Sequence, residues 1–251
     1  MSATRPRLLF LAGPPFGPAL FRQVQARLGR GEAESVLAFA GPGGDWRSAA
    51  DALARRCGEA PTVLVAHGLA VPAAVASAQL RPPAGLVLMN GPLRRVDPIA
   101  RALGRLARTP GGSAALRATL FQPTVWQAWL RSSVGLRRAV VNPYVMDRDT
   151  VALLCGRLVE SDEGRRAVAA WLRGLRDLPE PRAFAAPLLL LWGDADPLFG
   201  SAEAAFFEAL VPGARHVSVP GGQHAHPEER PWEVADRLSA WLSEQGFAGS
   251  P

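Results

Sequence analysis

Short apolar runs of strand length recur along the chain, at Leu8–Leu11, Ser35–Ala40, Thr62–Ala66, Gly85–Met89, Pro187–Trp192 and His216–Val219. Runs that do not alternate with polar residues predict strands covered on both faces, as in a parallel sheet. Helical patterns fall between them, at Pro18–Arg30, Trp46–Arg56, Leu69–Gln79, Ala202–Leu210 and Trp232–Gln245. The alternation predicts an α/β fold with a mostly parallel, doubly wound sheet.

The alternation stops between Met89 and Pro187, where nearly a hundred residues contain no strand-like run. Asp97-Pro98 has the form of an N-cap followed by proline at the first helical position. From there Ile99, Leu103 and Leu106 predict one buried face, with Arg101, Arg105 and Arg108 on the opposite one. Further helical pieces follow at Ser113–Phe121, Thr124–Arg131, Arg148–Leu158 and Asp162–Arg176. The expected organisation is an α/β core built from residues 1–92 and 184–251, interrupted by a helical cap at 93–183.

Composition narrows the chemistry. With 251 residues, 48% hydrophobic and 20% charged, the chain can bury a sizeable core and is not intrinsically disordered. All 28 basic residues are arginine, which removes the P-loop NTPases, protein kinases, lysine Schiff bases and lysine-activated serines. This Arg-, Ala-, Pro- and Gly-rich usage suits a GC-rich bacterial genome, so an arginine earns no role merely by being one. Cys57 and Cys155 offer neither a disulfide framework nor metal-ligand spacing and are expected as small apolar residues. No metal and no cofactor is expected. The apolar run after Arg7 is too short for a signal peptide, and the longest, Pro61–Leu80, is broken by His67, Gly68 and Pro72. The expectation is a soluble cytoplasmic protein with no membrane span.

Ligands of open α/β sheets bind beyond the carboxyl ends of the strands. Four junctions there carry the interest: Ala12-Gly13-Pro14-Pro15, His67-Gly68-Leu69, Gly193-Asp194-Ala195-Asp196 and Gly221-Gly222-Gln223-His224. Together, in this order and around a helical insertion, they resemble the α/β-hydrolase family over nearly the whole chain. The resemblance implies that Asp196 is the triad carboxylate and His224 the base, and that the second junction is the nucleophile elbow. It also implies that the family's N-terminal hairpin is missing, because the chain begins almost at the strand before the first junction.

The chain departs from the family at the elbow itself. Gly68 stands where the family has Ser, Cys or Asp, so there is no side chain to attack a substrate. The resemblance assigns the oxyanion site to Leu69 and to the residue after Gly13, but that residue is Pro14, which has no N–H. Ordinary acyl-enzyme hydrolysis is disfavoured twice. What survives is a His–carboxylate pair, in which the acid fixes the imidazole tautomer and leaves a general base near neutral pH. Asp194 reads as a turn residue; His67 reads as structural support behind the elbow; His226, Glu228 and Glu229 read as solvating or capping groups of the last helix.

Charge adds one further feature. Residues 94–138 hold nine arginines and a single acid, Asp97, a local balance of +8 within a chain of net +6, so the remainder sums to −2. A basic cap can steer a carboxylate, a phosphate, a CoA tail or an acidic carrier protein, or can simply be solvated. No recognised motif supports nucleic-acid binding. Trp126, Trp129, Tyr144 and Trp171 are candidates to line a pocket beneath the cap. The leading reading is an enzyme using the His224–Asp196 pair for lyase, cyclase or water-activated chemistry on a small molecule. The alternatives are a non-catalytic protein that binds a small molecule or partner, a (thio)ester hydrolase with a non-standard site, and a nucleotide binder using Phe39–Gly44, whose spacing misses G-x-G-x-x-G.

Overall fold

Six strands form one sheet in the computed structural model, which describes residues 5–29, 33–37, 44–92 and 94–247. In chain order they are β1 (Arg7–Ala12), β2 (Ala33–Leu37), β3 (Thr62–His67), β4 (Gly85–Met89), β5 (Leu188–Gly193) and β6 (Arg215–Val219). Their spatial order is β2-β1-β3-β4-β5-β6, and every pairing among the described residues is parallel. All positions of β3, β4 and β5 are buried, which is why their sequences are continuously apolar. Of the run expected at Ser35–Ala40, residues 38–40 lie outside the described residues, as do Arg30 and most of the loop at Phe39–Gly44.

Helices cover the sheet. Helix α1 (Arg22–Leu28) packs with the C-terminal α11 (Pro231–Glu244), and α2 (Trp46–Glu59) packs with α3 (Val71–Leu80). Eight successive residues of α3, Val71–Ala78, are buried. Their small side chains let the helix lie close to its neighbours on all sides. Between β4 and β5 the cap contributes α4 (Pro98–Arg108), α5 (Gly112–Ala118), α6 (Pro123–Leu130), α7 (Arg148–Cys155) and α8 (Asp162–Gly174). After β5 come α9 (Ser201–Leu210) and the single-turn α10 (His226–Glu229).

The cap is tied to the core by specific contacts. Trp46 Nε1 donates to the Gly174 carbonyl at 2.9 Å, joining α2 to the end of α8. Asp97 caps α4 as expected, its Oδ1 accepting from Ile99 N at 3.0 Å and Ala100 N at 3.2 Å. The face of α4 differs from the expectation. Leu106 is exposed, and the buried positions are Gly104 and Ala107, which pack toward α8. The close approach to α8 is available only to small residues, since a Cβ on Gly104 would lie 2.6 Å from the Leu172 carbonyl. No described helix is long and apolar enough to cross a membrane.

Candidate active site

Strand register sets the site. Ala12, His67 and Met89 are partners across β1, β3 and β4, so the chain leaves these strands at one level. Gly193 and Val219 are likewise paired across β5 and β6, which delivers the acid turn and the histidine loop side by side. Gly68 follows β3 with φ +58, a left-handed conformation that costs other residues about 1–3 kcal/mol. A 3₁₀ turn at Gly68–Ala70 then opens into α3. This strand–turn–helix places Gly68, which carries no side chain, at the tight turn beyond the carboxyl end of β3.

Asp196 and His224 meet behind that turn. His224 Nδ1 lies 2.9 Å from Asp196 Oδ2, and both side chains are buried. Asp196 Oδ1 is held by the Leu198 N–H at 2.8 Å, which fixes the carboxylate plane. A carboxylate can only accept from the imidazole, so Nδ1 carries the proton and Nε2 is left as the acceptor. That nitrogen faces the elbow: a Cβ built on Gly68 would lie 3.4 Å from it.

The surrounding groups are arranged to hold His224 in place. Its backbone N–H donates to Ala139 O in the cap at 3.1 Å, and its carbonyl pairs with His67 Nε2 at 2.7 Å. His67 therefore supports the site from behind, as expected. Phe16 and Phe199 flank the ring, with centroids at 5.8 and 5.4 Å. Burial holds His67 well below the usual imidazole range, and the neighbouring His224 and His226 rings add to this.

The other expectations divide. Asp194 is a turn residue, accepting from Gly221 N at 2.7 Å and Ser218 Oγ at 3.1 Å. His226, expected in solvent or as a cap, is instead fully buried, with its pKa pushed down to about 4 by burial. Glu228 does not cap α11 but pairs with Arg22, and accepts from Gln23 Nε2 at 2.9 Å. Glu229 reaches the cap, accepting from Val141 N at 2.8 Å and Asn142 N at 3.3 Å. Short-range pattern could not show these partners, because they lie on α1 and on the cap.

A mainly apolar cavity of about 80 Å³, open on one side, lies between cap and core, with His224, Leu69 and Pro14 on the core side and Trp126, Trp129 and Leu103 on the cap side. Trp126 and Trp129 stack at 5.3 Å and 26°. Tyr144, expected in this lining, is 84% exposed and takes no part in it. Trp171 is buried within the core and does not line the cavity either. Asp97 and Arg138 form an ion pair at 2.9 Å in the wall. Two donors of lining residues, Trp126 Nε1 and Arg138 Nε, are buried without a partner. On the core side the first junction supplies no amide. Pro14 has none, Phe16 N is engaged by Gly13 O at 3.1 Å, and Gly17 N by Leu154 O at 2.6 Å. Among the described residues no group of three or more His, Cys, Asp or Glu could hold a metal ion.

One residue of the site escaped the sequence reading. Asn90, at the end of β4, is buried with φ +33, and its amide binds Gly193 N, Gly193 O and Phe199 O. The signal was the Asn-Gly dipeptide immediately after an apolar strand, a pair that favours positive φ.

Comparison with known proteins agrees with this fold. A profile described as the alpha/beta hydrolase family matches residues 8–237. No curated protein matches the sequence. Among solved structures, a thermophilic esterase from Thermogutta terrifontis is similar with TM-score 0.69 at 20% identity, over 97% of this chain and 92% of that one. A haloalkane dehalogenase from Bradyrhizobium elkani gives 0.73 at 20% identity over 97% and 92%. An epoxide hydrolase gives 0.74 at 17% identity over 95% and 92%.

Proposed function

The chain belongs to the alpha/beta hydrolase family, and from that premise we propose that its His224–Asp196 pair performs general acid–base chemistry, without a covalent intermediate, on a small molecule held under the cap. The observation that carries this reading is His224 itself: Nδ1 is bound to a buried carboxylate while Nε2 faces the empty position over Gly68 and the cavity. A side chain there would occupy the space next to the base. Glycine leaves it to a substrate group or a water, from which Nε2 can take a proton. Elimination, cyclisation and water-activated cleavage share this requirement.

The cavity describes the substrate class. Its lining is mainly apolar, which suits a small molecule with a largely apolar surface. An apolar cavity of roughly 150 Å³ holds benzene. The space of about 80 Å³ beside His224 is smaller than that, so a larger molecule extends through the open side of the cavity. A second reading is a non-catalytic binding protein, in which His224 is a relic of the fold; the absence of a side chain at Gly68 and of an N–H at Pro14 favours it. A (thio)ester hydrolase is the weakest reading, because the first junction supplies no oxyanion donor at Pro14.

Gly68→Ser tests whether the remaining site geometry is intact and His224 is competent as a base. Its hydroxyl would sit against His224 Nε2, and a competent base would make it an esterase. The expected result is measurable turnover of p-nitrophenyl acetate, slowed by the missing oxyanion donor by about 10²–10³ relative to a complete site and abolished by adding His224→Ala. A folded Gly68→Ser protein that hydrolyses nothing would mean that Pro14 or the cap closes this route; the acid–base reading is overturned if His224→Ala leaves turnover of an identified substrate unchanged.

A further inference from the structure

Outside the cavity, on the far side of the cap, two adjacent depressions are lined chiefly by arginine. The first, of about 490 Å³, runs along α4 and the end of α8 and is lined by Arg94, Arg101, Arg105, Arg108 and Arg176. The second, of about 660 Å³, lies between α4, α5 and α8 and is lined by Arg108, Arg117, Arg173 and Arg176. Arg108 and Arg176 belong to both, so the two are continuous. Asp177 is the acid that lines the first, and it faces Arg47 and Arg176 at 3.8 Å. Arg94 and Arg117 have partners in Glu203 and Asp162. Among the described residues no ion pair forms at Arg101, Arg105, Arg108 or Arg173.

Like charges spaced along one helix face repel one another, and a concave wall keeps them close. Two features make this more than a solvated helix face. The cations converge from separate elements, with Arg173 and Arg176 lying far along the chain from α4. The first depression is also recessed between α4 and the end of α8, and the second is a shallower, more open extension of it. Guanidinium forks match phosphate oxygens bidentately.

We propose that this groove binds a small anion bearing several phosphates, held between α4, α5 and α8. The site is distinct from the cavity. Gly104 lies so close to the Leu172 carbonyl, where an added Cβ would sit 2.6 Å away, that α4 and α8 close the seam between them. The same two helices line both spaces: Leu172 borders the cavity and the groove, and Ile99 and Leu103 of α4 line the cavity. An anion bridging α4 to α8 therefore clamps the roof of the cavity. The inference does not depend on any chemistry at His224.

Inorganic tripolyphosphate titrated calorimetrically into the full chain at low salt tests it. Saturable binding near one equivalent is expected, weakening as salt shortens the screening length to about 8 Å at physiological ionic strength. Arg105→Glu/Arg173→Glu should bind at least about tenfold more weakly, while Arg27→Glu/Arg55→Glu, with the same change in net charge, should bind as before. Arg105→Gln/Arg173→Gln repeats the test should the reversed variant fail to fold. The proposal is overturned by absent or unsaturable binding, by equal losses in both double variants, or by a groove that takes polyglutamate but not tripolyphosphate.

Discussion

Asn90 holds Gly193 by both of its backbone groups: Oδ1 accepts the Gly193 N–H at 2.7 Å and Nδ2 donates to the Gly193 carbonyl at 3.0 Å. A third bond reaches Phe199 O at 3.2 Å. One side chain at the end of β4 therefore sets the turn that carries Asp196 and the ring that flanks His224. Asn90→Ala leaves these buried groups unpaired, at an expected cost of about 2–3 kcal/mol in urea unfolding. In a Gly68→Ser background the same change should lower esterase turnover in the fraction that remains folded. Unchanged stability would show that water replaces the amide.

Trp126 and Tyr144 should respond in opposite ways. Trp126 is buried in the cavity wall, and Trp126→Ala is expected to cost about 3–5 kcal/mol. Tyr144 is 84% exposed, and Tyr144→Ala should change stability by less than about 0.5 kcal/mol. Thermal or urea unfolding of the two variants checks the assignment of the lining; a large cost at Tyr144 would contradict it.

Asp97 combines two duties, capping α4 and pairing with Arg138. Asp97→Ala loses both and is expected to cost about 1–3 kcal/mol. Asp97→Asn keeps the cap oxygen and should cost less. Equal losses in the two variants, measured by urea unfolding, would mean that the ion pair dominates and the cap contributes little.

Acid should weaken the fold through its buried imidazoles. His67 and His226 have folded-state pKa values depressed below the ordinary 6.5, His226 to about 4. The unfolded chain therefore binds more protons across this window, so stability is complete above pH 6.5 and is lost as pH falls from there toward 4. Glu229 acts in the opposite sense, because burial raises its pKa and its ionisation works against folding as pH rises above 4.5. The histidines dominate because both are fully buried. The urea midpoint should fall between pH 6.5 and 4.5, and His226→Gln should flatten that slope; an identical slope in the variant would remove His226 as a cause.

Much of this protein was legible in one dimension. Buried parallel strands must be apolar on both faces, so the six runs announced the sheet. Proline has no N–H and glycine has no side chain in any context, so the losses at Pro14 and Gly68 needed no coordinates. The pairing of Asp196 with His224 was what the resemblance of the two junctions to the alpha/beta hydrolase family implied. Tertiary structure decided what depends on neighbours distant in sequence. Leu106 faces solvent because Gly104 and Ala107 allow the closer approach to α8. Tyr144 points away from the cavity that Trp126 and Trp129 line, and His226 is buried although the residues around it are polar. Asn90 acts through backbone groups more than a hundred residues further along the chain. The basic groove is the clearest case, since the charge excess at 94–138 was countable from the sequence, but its convergence with Arg173 and Arg176 exists only because α4 packs against α8.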